Sequence, residues 1–162
     1  MLAGCGTKAA KSSAGTEVSG TAQSASDKVA TAATSAAAKT SHTVKKIRLR
    51  FDGGEAIAGL YDNPTSRGLV AMLPLALSFK DFNGTEKISY LPRSLSTEQA
   101  PEGIEPSEGD LTLYAPWGNL AIFYHNFRYC KGLVPIGHIT SGLEALTKMN
   151  GDFTVRIEAV NE

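Results

Sequence analysis

The sequence predicts a mainly β protein, a closed eight-stranded antiparallel barrel with two short capping helices. Three observations point there. Eight short segments carry apolar residues in strand-like runs at even spacing. Asp52-Gly53-Gly54, Asn83-Gly84 and Asn150-Gly151 supply tight turns between them. Only two stretches carry helix-start signals, and there is little strand–helix alternation. Closing such a set of strands into a barrel leaves no unpaired edge.

The body begins near Val44. Ile47, Leu49 and Phe51 alternate with Arg48 and Arg50, a half-buried strand. After the Gly53-Gly54 turn, Glu55 to Tyr61 returns as a second strand. Asn63-Pro64 opens a helix, with Asn as the cap and Pro in the first turn, where its missing donor is harmless. Leu69, Val70, Met72 and Leu73 form its apolar face, and Pro74 ends it. Leu75, Leu77 and Phe79 mark the third strand, and Lys87 to Leu91 the fourth.

Residues 92–109 form a long acidic loop carrying Glu98, Glu102, Glu105 and Glu108. Connections in compact domains usually run ~4–6 residues, so this one is either a functional excursion or a solvated one. Leu111 to Tyr114 and Leu120 to His125 flank a Pro116-Trp117-Gly118 corner holding the single Trp. Leu133 to Ile139 is the seventh strand, and its Pro135 suits an edge or a bulge. Ser141 is expected to cap a second helix through Leu146. Phe153, Val155, Ile157 and Ala159 alternate inward along the last strand.

The chain has 162 residues, enough for one domain and a tail. Its 16 basic and 16 acidic residues are interspersed and sum to zero charge. That gives no electrostatic footprint for nucleic acid and no polybasic membrane patch. No stretch approaches the ~20 apolar residues of a spanning helix. Leu2-Ala3-Gly4-Cys5 resembles the lipobox of bacterial lipoproteins, which implies acylation of Cys5. Residues 6–43 contain no Leu, Ile, Met, Phe, Tyr or Trp and read as a disordered Ala/Ser/Thr-rich tether. The chain thus divides into residues 1–5, 6–43 and a domain over 44–162. The expectation is an extracytoplasmic, membrane-tethered protein. The alternative is a low-complexity tail on a cytoplasmic one.

Several chemistries find little support. His125, Cys130 and His138 lack a tight metal-ligand spacing, so no metal is expected. Cys5 and Cys130 lie in segments of different character, which does little to recommend a disulfide, and a lone Cys130 is more often inert. There is no nucleophile-elbow pattern, and Gly53-Gly54 is a hairpin rather than a phosphate loop. The corner from Tyr114 to Tyr124, aromatic and beside a turn, is the best candidate for a binding site.

Gly137-His138-Ile139-Thr140-Ser141-Gly142-Leu143-Glu144-Ala145-Leu146 is similar to the strand-to-helix segment of cyclophilins. Gly118-Asn119-Leu120-Ala121-Ile122-Phe123 is similar to their pocket strand. Tyr61-Asp62-Asn63-Pro64-Thr65, Ile88-Ser89-Tyr90-Leu91-Pro92-Arg93 and Ala115-Pro116-Trp117-Gly118-Asn119 resemble runs of a bacterial cyclophilin-like family. The resemblance spans the body and implies the cyclophilin barrel. It also implies a candidate activity, rotation about X–Pro bonds by an arginine that favours the twisted amide. Arg93 is the counterpart of that catalytic residue, with Arg67 and Arg128 as weaker candidates. The pocket Gln, Phe, His and Trp of the active enzymes fall at Leu120, Ile122, Leu133 and Arg128, so the polar pocket is gone.

Three readings follow. The first is a binding module holding a peptide or small apolar ligand at the barrel rim, lined by Tyr90, Arg93, Trp117, Asn119 and Phe123. The second is a prolyl isomerase with a diverged pocket. The third is a structural or accessory domain without ligand. No cofactor is implied, and a monomer is expected.

Overall fold

The computed structural model describes residues 43–160, and the expectations for Cys5 and the tether fall outside them. The first hairpin sets the pattern. β1 (Thr43–Phe51) and β2 (Gly54–Tyr61) pair antiparallel from Thr43↔Tyr61 to Phe51↔Gly54, and Gly53 turns the chain at φ 96°. Ile47, Leu49 and Phe51 face inward against Ala56, Ala58 and Leu60, as the alternation in the sequence requires.

α1 (Pro64–Val70) follows with the expected cap, the Asn63 side chain accepting from the Ser66 N–H at 2.8 Å. β3 (Leu75–Phe82) and β4 (Glu86–Tyr90) form the Asn83-Gly84 hairpin. β5 (Gly103–Ile104) lies within the long loop. β6 (Asp110–Tyr114) and β7 (Asn119–Phe123) flank the Trp117 corner, and β8 (Cys130–Lys131) follows. β9 (Leu133–Ser141), α2 (Leu143–Thr147) and β10 (Phe153–Val160) complete the chain.

Eight strands close in the order β1-β10-β3-β4-β7-β6-β9-β2, all neighbours antiparallel. The last strand seals the first, from Lys46↔Val160 to Phe51↔Val155. The interior is filled rather than hollow, as expected for eight strands. Phe51 and Phe79 both pack on Phe153, with ring centroids 6.2 and 6.1 Å away. Each helix sends one leucine into the core, Leu69 from α1 and Leu146 from α2. Because β2 leads into α1 and the antiparallel β9 leads into α2, the helices close opposite mouths of the barrel.

Three features differ from the sequence reading, and a fourth, Pro135, takes one of its two expected places. The long loop contains β5, which pairs with β8 as a separate two-stranded sheet, and Glu102 bonds Lys131 at 2.6 Å. The pairs are too short to leave a periodicity signal. Pro135 has no edge to occupy. It sits at a bulge instead, where the β6–β9 register jumps from Leu111↔Gly137 to Thr112↔Pro135. Its carbonyl accepts from Asn63 Nδ2 at 2.9 Å, and that of Ile136 accepts from Ser66 Oγ at 2.7 Å. The bulge therefore anchors α1. Ser141 does not cap α2. It ends β9, and Gly142 takes the cap position in the left-handed region at φ 82° without any side-chain bond. Ala159 is exposed, lying past the packed interior near the end of β10.

Gly142 is where backbone approach is tightest with positive φ, since an added Cβ would lie 2.1 Å from the Glu55 carbonyl oxygen. Gly151 also has positive φ, 67°, but open space around it. Gly142→Ala is expected to cost at least ~2 kcal/mol, against ~1 kcal/mol for Gly151→Ala, in urea denaturation of the two variants. Equal losses would show that strain at φ, rather than the clash with β2, sets the cost.

Candidate functional site

The α1 mouth gathers most of the residues singled out in the sequence. In the pairing Tyr90↔Asn119↔Tyr114↔Leu133, neighbouring strands bring the ends of β4, β7, β6 and β9 side by side. The corner is a tight turn in which the Gly118 N–H bonds the Tyr114 carbonyl at 2.9 Å, with Gly118 at φ 66°. Trp117 stands edge-on to Tyr114 at 5.3 Å and to Phe82 at 5.9 Å, yet remains 36% exposed. Tyr90 is 55% exposed. Such aromatics present large apolar area that costs little side-chain entropy to immobilise.

Asn119 is 2% exposed, and its Nδ2 donates to the Leu120 carbonyl at 3.1 Å. Its Oδ1 has no hydrogen-bond partner among the described residues. An unmet buried acceptor costs ~1–3 kcal/mol, and this one lies beside the exposed aromatics.

Arg93 is exposed in the loop after β4, on the same mouth, and forms no side-chain bond among the described residues, with the acidic loop or otherwise. Phe123 is not with these groups. It lies at the far end of β7 from Asn119, buried beneath the stacked ring of Phe127 at 6.1 Å. Leu120 and Ile122 point into the core, Leu133 is buried, and Arg128 lies 5.2 Å over the Phe127 ring. The positions equated with the cyclophilin Gln and Phe therefore face the interior, away from any surface groove.

Two cavities went unnoticed in the sequence. One, about 360 Å³, opens at the α1 mouth between Lys45, Leu60, Tyr61 and the helix residues Ser66, Arg67, Val70 and Ala71. The other, about 600 Å³, is lined by Arg50, Phe51, Asp52, Met149, Asn150 and the start of β10. One signal for the first was legible. Lys45 extends the inward row of Ile47, Leu49 and Phe51, an odd place for a charge unless the barrel opens there.

The strongest electrostatics lie at the α2 mouth. Lys87 pairs with Ile122 of the core, so it faces inward, and it is 2% exposed. Its ammonium donates to Asp81 at 2.9 Å and to the Met149 carbonyl at 2.7 Å, and lies 5.0 Å from the Tyr124 ring centroid. Tyr124 also donates to Asp81, at 2.6 Å. Burial pulls the Asp81 carboxyl upward, but the bonds from Tyr124 and Lys87 outweigh it and hold the group below its ordinary range. Burial and then the Asp81 hydrogen bond push the Tyr124 hydroxyl up to about 12. Glu86, beside them, is pushed up to about 7 by burial and then by the Asp81 charge.

No trio of metal-binding side chains occurs among the described residues. His138 bonds Asp110 at 2.9 Å instead of joining His125 and Cys130. Cys130 is 3% exposed, its sulfur 3.7 Å from the Lys131 carbonyl oxygen. No described helix is long and apolar enough to cross a membrane.

A closed, helix-capped antiparallel barrel with an aromatic corner at one mouth defines a class, and comparison with known proteins narrows it. Residues 49–158 match the cyclophilin-like family, and the chain belongs to that family. Among solved structures it is similar to a hypothetical protein from Archaeoglobus fulgidus determined in solution. The identity is 17%, the match covers 75% of this chain and 99% of the archaeal one, and the TM-score is 0.57, a likeness of fold alone. No curated protein matches the sequence.

Glu86 gives the α2 mouth a pH signature. Its folded pKa of about 7 stands above the ordinary 4.5, so the folded state holds a proton that the unfolded state has released. Its contribution to stability therefore falls as pH rises from about 4.5 to 7. Partial exposure screens this to the order of 1–2 kcal/mol. Thermal melts should show that Glu86→Gln removes this decline, and an unchanged pH profile would place the Glu86 carboxyl in ordinary solvent.

Proposed function

We propose that the domain is a binding module that takes a peptide or small apolar ligand at its α1 mouth. The observation that carries this reading is the conjunction of exposed Tyr90 and Trp117 with buried Asn119, whose acceptor is unmet, on one strand register. The aromatics supply contact area, and Asn119 Oδ1 offers an acceptor to a ligand N–H once the corner shifts to admit it. Arg93, uncommitted on the same mouth, adds a charged donor for a carbonyl or carboxylate. Phe123, at the other end of β7, takes no part in this site.

Trp117 reports directly on this reading. Titration with proline-containing peptides should give a saturable change in its fluorescence, and Tyr90→Ala should weaken the apparent affinity about tenfold. A flat titration across varied peptides contradicts the binding reading.

A second reading, prolyl isomerisation, rests on Arg93 standing free beside an aromatic surface in a family whose fold is shared with the isomerases. It would act by stabilising the twisted amide, with no covalent step. The inward-facing Leu120 and Ile122 weigh against it. In a proline-peptide isomerisation assay, any rate above background should vanish in Arg93→Ala, and the absence of such a rate in the parent protein removes the reading.

We further propose that the domain works tethered at a bacterial envelope through acylated Cys5. Support comes from the lipobox-like residues 2–5 followed by a segment without large apolar residues. Acylation and disulfide formation are alternative fates of a cysteine sulfur. Mass spectrometry of the N-terminal peptide from native membranes should therefore find a thioether-linked lipid on Cys5. An unacylated Met1, or Cys5 recovered in a disulfide, contradicts the tether.

A further inference from the structure

The 360 Å³ cavity at the α1 mouth has a chemistry the aromatic corner lacks. Its floor is apolar, built from Leu60 of β2 and from Val70 and Ala71 of α1. Lys45 stands opposite Leu60 in the β1–β2 register, which puts it on the inward row one pair beyond the packed core. Its ammonium is bonded to no acceptor among the described residues. Arg67 spends one terminal nitrogen on Asp62, leaving its other donors uncommitted. Tyr61 completes the rim. Burial, followed by the Asp110 charge, raises its hydroxyl pKa, so it remains a donor at neutral pH.

The acceptors at the rim are largely used. Asp62 is held by Arg67, and the Ser66 hydroxyl is turned to the Ile136 carbonyl. Beyond the Arg67–Asp62 pair the rim carries one net positive charge, on Lys45. The walls are also fixed in advance, because α1 is bonded through Asn63 and Ser66 to the β9 bulge and through Thr65 to the Ser96 carbonyl at 2.7 Å. A pre-formed apolar cleft of this size, with convergent donors at its edge, has the make-up of a small-molecule site.

We propose that this mouth binds a free aliphatic carboxylate, its chain on Leu60, Val70 and Ala71 and its carboxylate between Lys45 and Arg67. The site is separate from the Trp117 corner and does not depend on it. Desolvation of the chain supplies the attraction, and the two cations choose the sign of the head group.

Calorimetry on the full chain with octanoate tests this, with octan-1-amine and a short peptide ending in leucine as the comparison ligands. Octanoate should bind saturably and at least tenfold more tightly than the amine. Lys45→Glu, a change at an exposed position, should loosen octanoate at least tenfold. Ala71→Trp, which fills the cleft from the exposed end of α1, should abolish binding, while Trp117→Ala should bind octanoate as the parent does. Equal affinity for acid and amine overturns the proposal, as does an Ala71→Trp variant that binds normally. If the leucine-ended peptide binds more tightly than octanoate, the cleft reads peptide C-termini and the free-acid assignment is wrong. Loss of octanoate binding in Trp117→Ala merges this site with the corner and overturns its separate existence.

Discussion

The pairing of β10 with β1 is the constraint on which the molecule depends. It joins the two strands most distant in sequence and turns an open sheet with two exposed edges into a closed surface. Closure also creates two mouths, and each needs a cover because apolar side chains line the inside of every wall except β4. α1 and α2 supply those covers with a single buried leucine each. The helices are too short to be stable alone, so they exist because the barrel gives them something to bury.

The departures from an apolar interior mark where the architecture does more than fold. β4 is turned so that Lys87 and Ser89 face inward. Ser89 is satisfied by the Ser78 carbonyl, and Lys87 by Asp81, Met149 and the Tyr124 ring. That α2-side cluster is self-contained: its donors are matched, and it ties the end of α2 to the β3–β4 hairpin. The α1 mouth is the opposite case. Asn119 keeps an unmet acceptor, Lys45 and Arg93 have uncommitted charges, and Tyr90 and Trp117 stay exposed. The Lys87 cluster at one end has its bonds matched, whereas the other end keeps unfilled ones. The proposed binding site is placed at the α1 end for that reason.

Much of the fold was legible because local signals agreed with it. The alternation of Ile47, Leu49 and Phe51, the Asn63-Pro64 cap and the Asn83-Gly84 turn all encode the structure that forms there. Two of the misses share a physical cause, since each depends on a neighbour distant in sequence. β5 and β8 form only because each supplies the other's partner. Gly142 caps α2 because Glu55 leaves no room for a side chain, a fact invisible from residues 137–146. Phe123 lies in the same apolar run as the Trp117 corner, and only the stacked Phe127 reveals that it is covered. The resemblance to cyclophilins carried the topology correctly. It could not carry the pocket, because positions 120 and 122 lie in the interior here.

The central claim is that ligand binding belongs to the α1 mouth. Amide chemical-shift mapping of the full chain, titrated with a proline-containing peptide, tests it most directly. The account predicts shifts concentrated at Tyr90, Arg93, Trp117, Gly118 and Asn119, with the amides around Asp81, Lys87 and Met149 unmoved. Shifts centred on the α2 mouth, or none at saturating peptide, would contradict it.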